Sequence, residues 1–136
     1  MVHRTYIEVR FRDLDKFGHV NNAVYLTYAE QARLLFADDI LGKEVDWKSK
    51  GLIVAKVECS YLVPVLLHDK IIVETSCTKI GNKSMELEFK IIKQKDKEYV
   101  KAAEGKTILV GYDYETNQSI PIPQEWRKKI EKFQKS

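Results

Sequence analysis

Arg10-Phe11-Arg12-Asp13-Leu14-Asp15-Lys16-Phe17-Gly18-His19-Val20-Asn21-Asn22 joins two kinds of periodicity. An alternating apolar run leads into it and the longest helical run of the chain leads out. Two acids, a glycine, a histidine and two asparagines crowd together at what reads as the mouth of a helix. That density of polar groups suits chemistry better than it suits a core. Asp15 is the candidate reactive group. Asp13 reads as structural, ordering the loop. Lys16 to Gly18 reads as a turn, in which Gly18 supplies either a special backbone shape or a close approach.

Upstream, Tyr6, Glu8, Arg10 and Arg12 alternate with Ile7, Val9 and Phe11, the pattern of a strand with one face in a core. Downstream the period changes. From Asn22 to about Asp38, Tyr25, Tyr28, Ala29, Ala32, Leu35 and Phe36 fall on one wide arc, opposite Thr27, Glu30, Gln31 and Asp38. Asn21 or Asn22 is a natural N-cap. Asp39 would land in the apolar arc, so the helix is expected to end near it, with Gly42 as punctuation. An arc this broad predicts a helix that is wrapped. Tyr25 and Tyr28 read as core, either able to line a pocket, and Glu30 is placed to pair with Arg33.

Further out, four runs read as strands: Leu52 to Val65, Lys70 to Lys79, Met85 to Ile91 and Tyr99 to Tyr112. Ile80-Gly81-Asn82-Lys83 is a hairpin turn. Gly105 suggests a bulge in the last strand. Trp126, Ile130 and Phe133 share one face of a short helix over Gln124 to Gln134. One strand, a long helix and then four antiparallel strands in meander make an α+β fold: a sheet of about five strands wrapped around one N-terminal helix, with a short C-terminal helix. Such a sheet leaves an edge strand open, and a second subunit would cover it.

The 136 residues fit one domain, 1–136, with enough chain to bury a core without metals or disulfides. Cys59 and Cys77 alternate within strand-like runs and read as small buried hydrophobes. No Cys/His cluster suggests a metal site. His3 and His68 have no evident partners and read as surface. The net charge is +3, and the lysines lie scattered among glutamates, so no nucleic-acid groove is expected. No apolar run is long enough for a membrane span and no signal-peptide core precedes the first strand, so a cytoplasmic protein without a membrane partner is expected.

The run Asp13 to Tyr25, followed by Tyr28-Ala29-Glu30-Gln31-Ala32-Arg33, resembles the hotdog-fold acyl-CoA thioesterases, the 4-hydroxybenzoyl-CoA thioesterase-like group above all. Tyr61 with Pro64, Asp69 and the turn from Gly81 to Ser84 are similar to that group's strand landmarks. The resemblance implies that Asp15 is the catalytic carboxylate and that the backbone N–H of Asn22 polarises the thioester carbonyl. It implies a homodimer or homotetramer with active sites at the dimer interface, no metal and no cofactor. It implies an acyl-CoA substrate whose nucleotide phosphates rest on surface Lys or Arg. Gly18-His19-Val20-Asn21-Asn22 is also similar to the plant acyl-acyl carrier protein thioesterases, in which a histidine at that spot is catalytic, so His19 is a second candidate. Gly18, Tyr25, Lys83 and Ser84 are the expected substrate contacts.

The chemistry is coherent on its own terms. A helix start offers unpaired N–H groups and a positive dipole end to a developing oxyanion. A carboxylate across a glycine turn can attack the carbonyl or activate water, and both routes stay open. Two other readings remain: a hydratase or dehydratase of acyl thioesters working through His19, and an acyl-CoA binder without turnover.

Overall fold

Thr5 and Ile7 turn inward while Arg4, Tyr6 and Glu8 stay exposed, and this alternation makes strand β1, His3–Glu8. The computed structural model describes Met1–Ser136. A 3-10 turn at Phe11–Asp13 precedes helix α1, Asn22–Leu41. Strands β2 (Lys50–Tyr61), β3 (Lys70–Ile80), β4 (Ser84–Lys95) and β5 (Glu98–Asp113) follow, then a short β6 (Gln118–Ser119) and helix α2 (Gln124–Lys135). All pairings are antiparallel, in the order β1-β3-β4-β5-β2 with β6 on β5. This is the expected α+β hotdog arrangement, one long helix laid along a sheet, with α2 closing one end.

The meander needs correcting. β3, β4 and β5 do follow one another, but β2 lies beyond β5 rather than beside β3. The reason is that β1 already occupies the other edge of β3. The strap joining β2 to β3, residues 62–69, therefore has to cross the end of the sheet. The bulge in β5 also differs from expectation. It falls at Ala102, where the register with β4 slips, and the Ala102 carbonyl accepts the N–H groups of both Leu62 and Val63, at 2.8 and 3.2 Å. Gly105 pairs regularly with Cys59 and Phe89. It is glycine because a Cβ there would strike the Glu58 carbonyl and the Phe89 ring.

Helix α1 runs past Asp39 to Leu41, with Gly42 beyond it at φ 99°. Asp39 lies on the flank, where it accepts a 2.7 Å hydrogen bond from His3 Nε2. His3 is thus half-buried and paired rather than a free surface histidine, and its ring meets Phe36 edge-on. The sheet covers only one side of α1. Tyr25, Tyr28, Ala29, Ala32 and Phe36 are buried, yet Leu34 and Leu35 are 61% and 39% exposed, so within one chain the helix is laid down rather than wrapped.

The core has two parts. One gathers Val20, Tyr25, Tyr28, Val65, Phe89 and Ile91 at the end where α1 begins. The other gathers Phe36, Leu41, Met85, Leu109, Trp126 and Ile130 where α1 ends. The Trp47 and Trp126 rings lie 5.0 Å apart in this second part. Cys77 is buried, Cys59 half-buried, and both are free thiols. No helix is long and apolar enough to cross a membrane.

Candidate active site

The segment from Asp13 to Asn21 folds back on itself as a small hairpin. Asn21 N–H donates to Asp13 O (2.9 Å), Leu14 and Val20 bridge, and Asp15 N–H donates to His19 O (2.8 Å). Gly18 sits at φ 83° with nothing within 4 Å of a Cβ position. The turn therefore needs its left-handed backbone, not its lack of bulk. Val20 N–H docks the hairpin on the strap by donating to Val65 O at 2.8 Å.

Asp15 is half-buried at the tip of this hairpin. Its Oδ1 accepts the N–H groups of Phe17 (2.9 Å) and His19 (3.4 Å), whereas its Oδ2 has no partner in the chain. The carboxylate is thus oriented through one oxygen and unengaged at the other. Asp15 lines neither of the two principal clefts, which measure 630 and 540 Å³. Its own surroundings are open. Phe17 is 73% exposed beside it, with the Lys16 ammonium 5.3 Å from the ring.

Helix α1 starts two ladder positions away. Asn21 is its N-cap: the side chain accepts Ala23 N–H at 2.9 Å and the carbonyl accepts Val24 N–H at 2.9 Å. Asn22 N–H, the first of the helix, donates to no acceptor in the chain. Tyr61 holds this turn from the β2 side, its hydroxyl donating to Asn22 O at 3.0 Å.

Asp13 is buried and fully engaged. Arg10 supplies its backbone N–H to Oδ2 and its guanidinium to Oδ1, and the Tyr28 hydroxyl donates to Oδ2 at 2.8 Å. Burial pushes the Asp13 carboxyl up, but the hydrogen bonds and charge of Arg10 together with Tyr28 outweigh it and hold the group below its ordinary range. The same contact, after burial, pushes the Tyr28 phenol up. Asp13 is thus structural, as its position suggests. Glu30 and Arg33 pair at 3.8 Å.

The other candidates scatter. The ring of His19 is exposed and has no hydrogen-bond partner, although its backbone completes the hairpin. Tyr25 is buried, and its hydroxyl accepts Val65 N–H (3.1 Å) and donates to Val63 O (3.5 Å). It therefore braces the strap rather than lining an open surface. Lys83 and Ser84 are not gathered with Asp15. They lie at the hairpin joining β3 to β4, the opposite end of the sheet from the strap, because both strands run the sheet's full length between the two. No group of three or more His, Cys, Asp or Glu side chains is disposed to hold a metal ion.

Lys93 escaped the sequence reading. Met85, Leu87, Phe89 and Ile91 point inward, and the same face of β4 ends in Lys93, 7% exposed. The periodicity carried this signal: a lysine at an inward strand position needs an internal partner.

The description of the thioesterase-like superfamily matches residues 9–130. The chain belongs to that superfamily. Thioester hydrolysis is accordingly its reaction class. Among solved structures, a thioesterase of Thermus thermophilus complexed with coenzyme A and Zn is 34% identical. It superposes with a TM-score of 0.82 over 99% of this chain and 95% of that one. The long-chain acyl-CoA thioesterase FadM of Escherichia coli is 27% identical over 135 residues, covering 97% of this chain and 99% of the relative. The chloroplastic acyl-acyl carrier protein thioesterase ATL3 of Arabidopsis thaliana is 27% identical over 133 residues, covering 96% of this chain and 68% of the relative.

Proposed function

We propose that this thioesterase-superfamily protein hydrolyses acyl-CoA to the free acid and coenzyme A, with Asp15 as the reactive carboxylate. The observation that carries the proposal is the state of that carboxylate. One oxygen is tied by two backbone N–H groups and the other is unengaged, in a hairpin that runs directly into a helix whose first N–H is unpaired. Asn22 N–H, at the positive end of the helix, stabilises the charge that develops on the thioester oxygen. Loss of such a donor costs other enzymes about 3–4 kcal/mol. Asp15 Oδ2 either adds to the carbonyl carbon, expelling the thiolate and leaving a mixed anhydride for water to open, or takes a proton from the water that adds.

The site is completed by a second copy of the chain. Strand β2 is an edge strand of 12 residues whose outer side has no partner. It carries Ile53, Val54 and Val57 exposed, and Leu34 and Leu35 of α1 are exposed as well. A long apolar edge of this kind is a template for pairing, and two copies related by a two-fold axis would cover both the edge and the open side of the helix. The protein then acts as a cytoplasmic homo-oligomer. Coenzyme A is favoured as the carrier because FadM, an acyl-CoA thioesterase by name, matches along nearly its whole length. The hydratase reading has less behind it, since His19 has no acid partner in the chain.

Release of free thiol from short, long and aromatic acyl-CoA, compared with the same acyl groups on acyl carrier protein, tests substrate and carrier together. Asp15→Asn is expected to lower turnover by roughly 10²–10⁴-fold while the protein stays folded. Equal rates for both proteins would remove Asp15 from the mechanism.

A further inference from the structure

We propose that Lys93 is a positioning residue for this site: its buried ammonium anchors the strap between β2 and β3, and the strap sets the Asp15 hairpin against the helix. The inference rests on reading Asp15 as the reactive carboxylate.

Lys93 Nζ donates to Pro64 O at 2.6 Å and to Asp69 Oδ2 at 3.3 Å. The Asp69 oxygen also accepts Leu66 N–H at 2.8 Å. An ammonium taken out of water is strongly unfavourable unless acceptors surround it, so it fixes the groups that satisfy it. An apolar residue of similar length would fill the same inward position of β4, and exchanging a whole buried ion pair for apolar groups often leaves stability intact, whereas removing one partner alone does not. Packing alone therefore gives no reason for a lysine here.

The strap has little structure of its own. Pro64 brings no N–H, so its carbonyl is its one backbone handle, and that handle is held by Lys93. The next residue, Val65, is 0% exposed and connects two parts of the site. Its N–H donates to the Tyr25 hydroxyl on α1, and its carbonyl takes Val20 N–H from the Asp15 hairpin. Asp15 is thus set by a short relay from Lys93 through Pro64, Val65 and Val20. Displacing a reacting group by about 1 Å can cost about 10²-fold in rate.

The test is Lys93→Met in the full-length protein. Circular dichroism and size should match wild type, KM should stay within about twofold, and kcat should fall about 10–100-fold. Amide exchange at Val20 should quicken while amides in the middle of β4 keep their protection. That readout does not depend on turnover, so it stands even if Asp15→Asn proves active and the reading of Asp15 fails. Asp69→Asn, which keeps an oxygen for Leu66 N–H but removes the charge, should lose less, in the same direction. A folded Lys93→Met protein with wild-type kcat and unchanged exchange at Val20 would overturn the proposal. So would exchange that quickens evenly across the whole sheet, or, if Lys93→Met fails to fold, a folded Asp69→Asn protein with wild-type kcat.

Discussion

Asp13 and Asp15 share one loop and meet opposite surroundings. Asp13 is enclosed by Arg10 and Tyr28, while Asp15 keeps an oxygen unengaged. The buried pair makes stability depend on pH at both extremes. The folded Asp13 carboxyl lies below its ordinary 3.8. Its contribution is therefore present above that value and lost as pH falls through the folded value. The folded Tyr28 phenol lies above its ordinary 10.0. Its contribution is complete below 10 and lost as pH rises from there toward the folded value. Tyr28→Phe is expected to reduce stability by about 1.5–3 kcal/mol at neutral pH, the usual loss for a hydrogen bond to a charged group. It should also flatten the alkaline limb and start acid unfolding at higher pH. Denaturant titrations at several pH values measure all three. The Asp-x-Asp spacing drew attention to both acids, but their burial was hidden in the chain. The 3-10 turn at Phe11–Asp13 breaks the period of two that would have put them on one face. The pairing of His3 with Asp39 was equally out of reach, because it depends on how β1 lies under α1.

Strands and helices were readable wherever their period was clean. Alternation from Met85 to Ile91 and the spacing of Trp126, Ile130 and Phe133 reappear as β4 and α2. Strand order was not readable, since hydrophobic alternation says which face is buried and nothing about which neighbour pairs. Gly105 shows the same limit: a glycine in a strand marks either a bulge or a close approach, and only the packed sheet tells them apart. Gly105→Ala is expected to destabilise by about 1–3 kcal/mol, the range for overpacking, because the new methyl meets the Glu58 carbonyl and the Phe89 ring. The shift in the denaturation midpoint reports it, and an unchanged midpoint would mean that β2 and β5 can part without penalty. The lysine at the end of the inward row of β4 belongs with these features. Its position was visible and its partners were not, because the strap that supplies them folds back from an earlier stretch of chain.

At the scale of the molecule, Leu34 and Leu35 of α1 and the outer edge of β2 are each left bare by a single chain. The two-fold pairing proposed above would cover both. Val54→Lys combined with Val57→Lys is expected to give a folded monomer with little activity. Sedimentation velocity measures the assembly and the thiol assay measures the activity, and a fully active monomer would place the whole site within one chain. The broad apolar arc of α1 predicts a helix wrapped by the sheet, and Leu35, on that arc, is instead 39% exposed. The two-part core carries a different consequence. The chain has two tryptophans, and both sit where α2 seals the sheet, away from the Asp15 hairpin. Intrinsic emission will therefore follow the loosening of that pole as the protein melts. It is poorly placed to register a ligand arriving beside Phe17, so a titration followed by native fluorescence will look silent unless a dye or an added indole is installed at the other pole.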